Sequence, residues 1–292
     1  MNKAKYNPLV SVVIPFYKNA EWLYEAIDSV ANQTYKSIEI IIVNDGSIES
    51  IDLSHYASLT IRYYFQQNKG AAAARNFGIS VSNGDFIAFL DSDDKWKNDK
   101  IEKQVEFLKN HEDCAWVHCS YQTFGNEGKM RVVDVAKEEG MIFPKCLKTL
   151  HIGTPCVMIR KKLLNSNAQF RFNETMKYGE DFFLWVSISQ KFKIGVINDV
   201  LCYVRMHGNN AAKSVYALLK SRADFKRKSN HIIDWDLIDK NINEAYCLCE
   251  KRIAVIEKCK FLKNKPRLTE LVSRVLYLRP YLKLHKKDKN EN

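Results

Sequence analysis

Residues 86–94 read Phe-Ile-Ala-Phe-Leu-Asp-Ser-Asp-Asp. The five apolar residues have the length of a strand covered on both faces, as in a parallel sheet. Three carboxylates then follow within four positions. Such close like charges repel, and holding them at a strand end costs stability unless a cation neutralises them. The stretch therefore predicts a buried strand that runs into a functional turn.

The pattern continues outward on both sides. Residues 70–81 form an alanine-rich helical stretch, and 61–65 a short strand. Residues 38–43 (IEIIIV) are another buried strand, stopped by the turn sequence Asn44-Asp45-Gly46-Ser47. In 20–31, Trp22, Leu23, Ala26, Ile27 and Val30 recur at helical spacing, and 9–15 (LVSVVIP) is a strand ended by proline. Downstream, 101–110 is a patterned helix. The order strand, helix, strand, strand, helix, strand, helix predicts an α/β fold with a mostly parallel sheet flanked by helices. In such sheets ligands bind beyond the carboxyl ends of the strands. The polar clusters after Pro15, at Asp45 and at Asp91 to Asp94 all fall on that rim.

Further strand-like pieces lie at 115–119, 156–159 and 194–197, with a helix at 181–190. No Pro/Gly/Ser linker interrupts the chain before Asn210, so 111–212 is expected to share a core with 1–110. Residues 213–292 read as a helical extension, with helices at 215–225, 238–261 and 268–278. The extension is basic. It holds 20 of the 45 Lys and Arg but only 10 of the 34 Asp and Glu, so nearly all of the +11 net charge lies there. Its last part, 258–289, mixes Lys and Arg with Phe261, Leu262, Leu268, Leu271, Val272, Val275, Leu276, Tyr277, Leu278, Tyr281 and Leu282. That composition suits an amphipathic helix on an anionic membrane surface; the competing reading is a helical cap with a solvated charged face.

Of 292 residues, 46% are hydrophobic and 27% charged, an ordinary soluble composition. The first residues carry no secretory run, and no stretch approaches the roughly 18–20 apolar residues that cross a bilayer. The eight cysteines form no CxxC pair and are expected as reduced thiols, which predicts a cytoplasmic protein.

Several side chains around the rim carry candidate chemistry. Asp91, Asp93 and Asp94 are hard oxygen donors suited to Mg²⁺ or Mn²⁺ with diphosphate oxygens. Arg75, in Ala74-Arg75-Asn76, is a cation that can pair with carboxylate or phosphate, or simply a surface arginine on a helix. Glu180 and Asp181 open an otherwise apolar helix. They complement its dipole, or supply a general base. Arg205 and His207 end a strand; the histidine is a candidate metal or phosphate ligand or a structural residue.

Together these segments closely resemble the family 2 glycosyltransferases, which have the GT-A fold. The resemblance rests on 10–17 (VSVVIPFY), Gln33-Thr34-Tyr35, Asn44 to Ser47, Asn68-Lys69-Gly70, Ala74 to Asn76, Phe89 to Asp94 and Glu180-Asp181, in order over about 8–210. Thr154 to Arg160 is similar to bacterial enzymes that build surface polysaccharides, O-antigen, lipopolysaccharide core or teichuronic acid. The resemblance implies that 1–110 is a nucleotide-sugar-binding half and 111–212 an acceptor-binding and catalytic-base half. It implies that Pro15 and Tyr17 border the base, Asp45 hydrogen-bonds uracil or ribose, and Arg75 sits near the base and the acidic turn. Asp91 would contact ribose or sugar, Asp93 would hold the metal, His207 would help bind it, and Asp181 would be the catalytic base. Asp94, Glu180 and Arg205 are additional candidates. The partners implied are a UDP-sugar and a saccharide or lipid-linked saccharide acceptor, with the enzyme cytoplasmic or peripheral on the inner face of the membrane.

The rival classes fit less well. A nucleic-acid-binding protein is suggested by the basic pI alone, and the charge is confined to the tail with no recognised binding motif. A nucleotidyltransferase would carry a glycine-rich basic loop after the first strand, where Phe16-Tyr17-Lys18-Asn19 stands. A dehydrogenase would carry GxGxxG. A nucleotide-sugar-binding relative without transferase activity is the remaining alternative; the intact acidic turn and Asp181 argue against it.

Overall fold

The structure, a computed structural model, describes residues 7–125, 130–207, 214–262 and 265–285. The expected boundary at 212 and 213, Lys263 and the 286–289 end of the basic tail lie outside the described residues. The chain divides into two compact units. The first comprises Met1–Ile142, His151–Glu174 and Ile188–Gly208. The second comprises Phe143–Leu150, Thr175–Ser187 and Asn209–Asn292.

The first unit is built on one mixed sheet. Its strands are β1 (Val10–Phe16), β2 (Ile38–Asp45), β3 (Ile61–Gln66), β4 (Phe86–Phe89), β5 (Lys95–Trp96), β6 (Cys114–Phe124), β7 (Val132–Val133), β8 (Met158–Arg160) and β9 (Lys193–Arg205). The order is β3-β2-β1-β4-β8-β6-β9-β5, with β7 beside β6. The β3-β2-β1-β4 half is parallel, as expected from its apolar runs. Every residue of β1 and β4 is buried, and so is all of β2 after Ile38. Each fully buried Val, Ile or Phe there contributes about 1.5–3 kcal/mol, which fixes the register of these strands. β8 is antiparallel to β4 and β6, β9 runs parallel to β6, and β5 pairs antiparallel with β9.

Helices α1 (Ala20–Ala31), α2 (Ala71–Val81), α3 (Lys100–Asn110) and α4 (Lys161–Ser166) flank the sheet. α2 lies close on β1: a Cβ on Gly78 would stand 2.3 Å from a Val13 methyl. At the start of α1 the carboxylate of Glu49 accepts from the amides of Asn19 (2.9 Å) and Ala20 (2.7 Å). This satisfies donors that a helix start leaves open.

The second unit is helical: α6 (Val215–Lys228), α7 (Lys240–Lys258) and α8 (Pro266–Leu284) pack around Leu219, Ala223, Cys249, Ile253, Ile256 and Tyr277. It is not the tail alone. The segment 175–187 joins it because Phe182 and Phe183 pack edge-on against Phe225, at 4.9 and 5.6 Å between centroids. The segment 143–150 joins it because the buried Arg222 guanidinium donates to the carbonyls of Leu147 and Lys148, both at 2.9 Å. The two units assign these two segments to the helices, through partners far along the chain, and 111–142, 151–174 and 188–207 to the sheet. α5 (Glu180–Ser189) starts in the second unit and ends in the first.

Pro280 sits inside α8 and leaves the Leu276 carbonyl without its helical donor; Arg252 of α7 donates to that oxygen instead. Among the described residues no helix is long and apolar enough to cross a membrane. No disulfide joins any of the eight cysteines.

Candidate active site

The carboxyl ends of β1, β2 and β4 lie side by side, because β1 pairs in parallel with both neighbours. That places Tyr17, the Asn44–Ser47 turn and the acidic turn on one rim of the first unit. Pro15 is buried within β1 opposite Val43, whereas Tyr17 is exposed with the Lys18 ammonium 5.0 Å from its ring centre.

The acidic turn is held shut by the Asp94 amide donating to the Asp91 carbonyl at 3.0 Å. Carboxylate oxygens of Asp91, Asp93 and Asp94 lie within 4.8 Å of one another. Each has its own partner. Arg75, buried on α2, reaches Asp91 at 2.6 Å and lies 5.2 Å from the Phe172 ring centre. Nε2 of His207 lies 2.9 Å from Asp93, and its ring packs on Trp22 at 5.3 Å. Asp94 is buried and accepts from the Arg205 amide at 2.8 Å. Burial first, then repulsion from Asp91, raises the Asp93 carboxyl, against the pull of His207. Burial, then Asp93 and Asp91, pushes Asp94 well above the usual carboxylate range. A hard divalent cation relieves that repulsion, so this oxygen donor set fits one.

Arg205 ties the turn to the rest of the unit. Its Nε donates to the Asp93 carbonyl at 2.9 Å and its NH2 to Glu25 at 2.8 Å. The guanidinium lies over the rings of Phe124 (4.5 Å) and Trp22 (5.0 Å). The hydrogen bond from Lys95 first, and also the one from Arg205, holds the Glu25 carboxyl below its ordinary range.

Asp45 is buried, and both its oxygens are engaged by the following turn. Oδ1 accepts from Gln66 Nε2 and the Lys69 amide, and Oδ2 from the Gly70 amide, all at 2.8 Å. Gly70 is the N-cap of α2, so this carboxylate anchors the start of the helix that carries Arg75. Glu180 and Asp181 open α5 in the second unit, where Asp181 Oδ1 accepts from the Phe182 amide at 2.7 Å.

The structure thus gathers Asp45, Arg75, Asp91, Asp93, Asp94, Arg205 and His207 in the first unit and puts Glu180 and Asp181 in the second. It also adds residues that the sequence reading gave no role. Trp22 and Glu25 serve Arg205; their i, i+3 spacing on α1 was the available signal. Asn76 clamps the backbone of Phe172 in both directions, at 2.9 and 3.0 Å, and reaches Glu174.

The family model for glycosyl transferase family 2 matches residues 11–167. An uncharacterized glycosyltransferase of Rickettsia bellii is 40% identical over 205 residues, covering 69% of this chain and 29% of that protein. This chain spans about a third or less of the length of that protein and of its Rickettsia felis and Rickettsia conorii counterparts. A Bacillus subtilis protein named as the putative teichuronic acid biosynthesis glycosyltransferase TuaG is 31% identical over 221 residues, covering 74% of this chain and 86% of that one. Among solved structures, Staphylococcus aureus TarS 1–349 in complex with UDP-GlcNAc superposes with a TM-score of 0.61 at 18% identity, covering 94% of this chain and 81% of that one. That likeness is one of fold, and it agrees with the expected GT-A sheet and helical C-terminal part.

Proposed function

Because the chain belongs to glycosyl transferase family 2, we propose that it transfers a hexose or N-acetylhexosamine from a UDP-sugar to a hydroxyl of a saccharide acceptor, with inversion. The observation that carries this reading is the acidic turn at the end of β4, braced by Arg75, His207 and Arg205. Similarity to TuaG, named for teichuronic acid biosynthesis, supports a surface-glycan acceptor; the acceptor in this proposal is a lipid-linked glycan or lipopolysaccharide-type intermediate, met at the inner face of the membrane.

Asp93, with Asp91 beside it and His207 behind, would hold Mn²⁺ or Mg²⁺. A bound cation would offset the charge that develops on the departing diphosphate. Arg75 would fix Asp91 toward the ribose or sugar, while Tyr17 and Pro15 border the base. Asp45 would act from behind, by holding the turn at Lys69 and Gly70. Arg205 and Asp94 would set the backbone of the acidic turn, and Glu180 would accompany Asp181 at the start of α5. Asp181 would accept the acceptor hydroxyl's proton. The new bond then forms from that oxygen to the anomeric carbon as the bond to the diphosphate oxygen breaks.

A panel of UDP-sugars with and without Mn²⁺, read by UDP release, tests the activity. Slow hydrolysis without acceptor counts as turnover, and silence with every UDP-sugar overturns the reading in favour of a binding-only relative. Asp181→Asn is expected to lower turnover about 10²–10⁴-fold with donor binding retained. Near-normal turnover removes Asp181 from the role, and a product of retained configuration removes the single displacement.

A further inference from the structure

Helix α8 carries two apolar faces. Ser273, Tyr277, Pro280 and Leu284 are its buried residues. Opposite them, Leu271, Val275, Leu278 and Leu282 are 59, 70, 58 and 59% exposed. Their spacing of i, i+4, i+7 and i+11 puts them in one line along about 16 Å of helix. Single exposed aliphatic side chains are ordinary; four in register, pointing away from the core, form a contiguous apolar stripe. Exposed arginines border it, with Arg267 and Arg274 on one flank and Arg279 on the other.

The acidic side chain of α8 is turned elsewhere. Glu270 caps the start of α6, accepting from Ser214 Oγ (2.9 Å) and the amides of Val215 (3.0 Å) and Tyr216 (3.2 Å). It also lies 3.5 Å from Arg274, which remains 65% exposed. The surface is therefore apolar along its centre and cationic along its edges.

We propose that this outward face of α8 docks on an anionic lipid bilayer. The leucines and Val275 enter the boundary between headgroups and acyl chains, and Arg267, Arg274 and Arg279 meet lipid phosphates. Charge decides the occupant. Pairing this face with a second copy brings two sets of arginines together while the one carboxylate of α8, Glu270, is engaged at the start of α6, whereas an anionic headgroup layer neutralises them. The inference draws on the proposed lipid-linked acceptor only for its purpose; the binding itself needs no turnover.

The test is flotation of the full chain with vesicles of equal phosphatidylcholine and phosphatidylglycerol, and with phosphatidylcholine alone, at about 0.1 M salt. Binding to the anionic vesicles alone is expected. Leu271→Ser with Leu278→Ser should weaken it at least about tenfold. Arg267→Ala, Arg274→Ala and Arg279→Ala should each weaken it about fivefold. UDP binding and the thermal midpoint verify that the variants fold. No flotation of the wild type, or flotation unchanged in the leucine variant, overturns the proposal. So does a dimer in light scattering that the leucine variant converts to monomer, which assigns the face to a second copy. A protein that floats but turns over no UDP-sugar keeps this surface and loses the proposed activity.

Discussion

Replacing Asp45 by asparagine separates two ways in which this residue can serve a nucleotide. The carboxylate accepts three hydrogen bonds, from Gln66, Lys69 and Gly70. An amide keeps one oxygen, which can still accept from Gln66 and Lys69. Its nitrogen then faces the Gly70 N–H, donor against donor. A hydrogen bond to a charged group contributes about 1.5–3 kcal/mol, and the two that survive lose their charge assistance. The variant is therefore expected to lose about 2–3 kcal/mol, or roughly 4–12 °C in thermal midpoint for a unit of this size. UDP affinity should fall in parallel, since the turn at 66–70 leads into the helix bearing Arg75. Gly46→Ala strains the same turn independently: Gly46 has φ 83°, and a Cβ there would stand 2.8 Å from the Asn68 amide. It should show the same joint loss. Calorimetry or dye-based melting, paired with UDP titration, reads both quantities. A midpoint unchanged within about 1 °C alongside lost UDP affinity refutes this account and leaves direct contact with the nucleotide.

Arg205→Lys keeps the charge but loses the fork that reaches both Glu25 and the Asp93 carbonyl; Mn²⁺ affinity, read by calorimetry on the UDP complex, should fall about tenfold. Asp93→Asn should abolish the Mn²⁺ dependence of UDP release, whereas Asp94→Asn, at a buried position, should act mainly on the melting point. Burial would raise the Glu39 carboxyl, but hydrogen bonds from Ser11, the Asn83 amide and Arg62 outweigh it and hold it low. Its stabilising share is therefore present above the ordinary glutamate value of about 4.3 and lost as pH falls through the depressed folded value. Urea unfolding of Glu39→Gln should show a flatter acid limb than the wild type. Gly78→Ala should cost about 1–3 kcal/mol through its overlap with Val13, measured in the same titration.

The parallel half of the sheet was readable because its strands are short, mainly apolar runs that end in polar turns. The acidic turn and Asp45 were readable for the same reason, as polar groups placed at strand ends, whereas Arg75 lies inside α2 and was marked only by its charge in an alanine-rich helix. The other half was harder. β9 runs thirteen residues, but Asn198 and Asp199 interrupt its apolar pattern, and its pairing with β6 shifts register near Cys119 and Ser120. β5 is two residues long and takes its identity from Tyr203 and Cys202 across the pair. The partners of Arg205 were hidden for a related reason. Trp22, Glu25 and Phe124 come from two separate elements, and each looks like an ordinary helix or strand residue until the sheet brings them together. Nor does any local pattern in 143–150 or 175–187 announce the second unit. Arg222 and Phe225, dozens of residues later, decide it.

The basic tail shows where patterning alone stops. A sequence test for an amphipathic helix looks for one apolar face against one polar face. In α8 apolar side chains occupy opposite sides, so a tally of hydrophobic residues from Phe261 to Leu282 mixes two populations. Burial sorts them. Leu262 and Tyr277 belong to the core, while Leu271, Val275, Leu278 and Leu282 face outward. A solvated charged cap would account for the arginines but not for four aligned, exposed aliphatic residues between them, because a cap needs its outer face polar. An apolar core would account for the leucines but not for their exposure. A surface that is apolar at its centre and cationic at its rim meets both observations when its partner is apolar beneath an anionic layer, and that is the chemistry of a bilayer carrying acidic lipids.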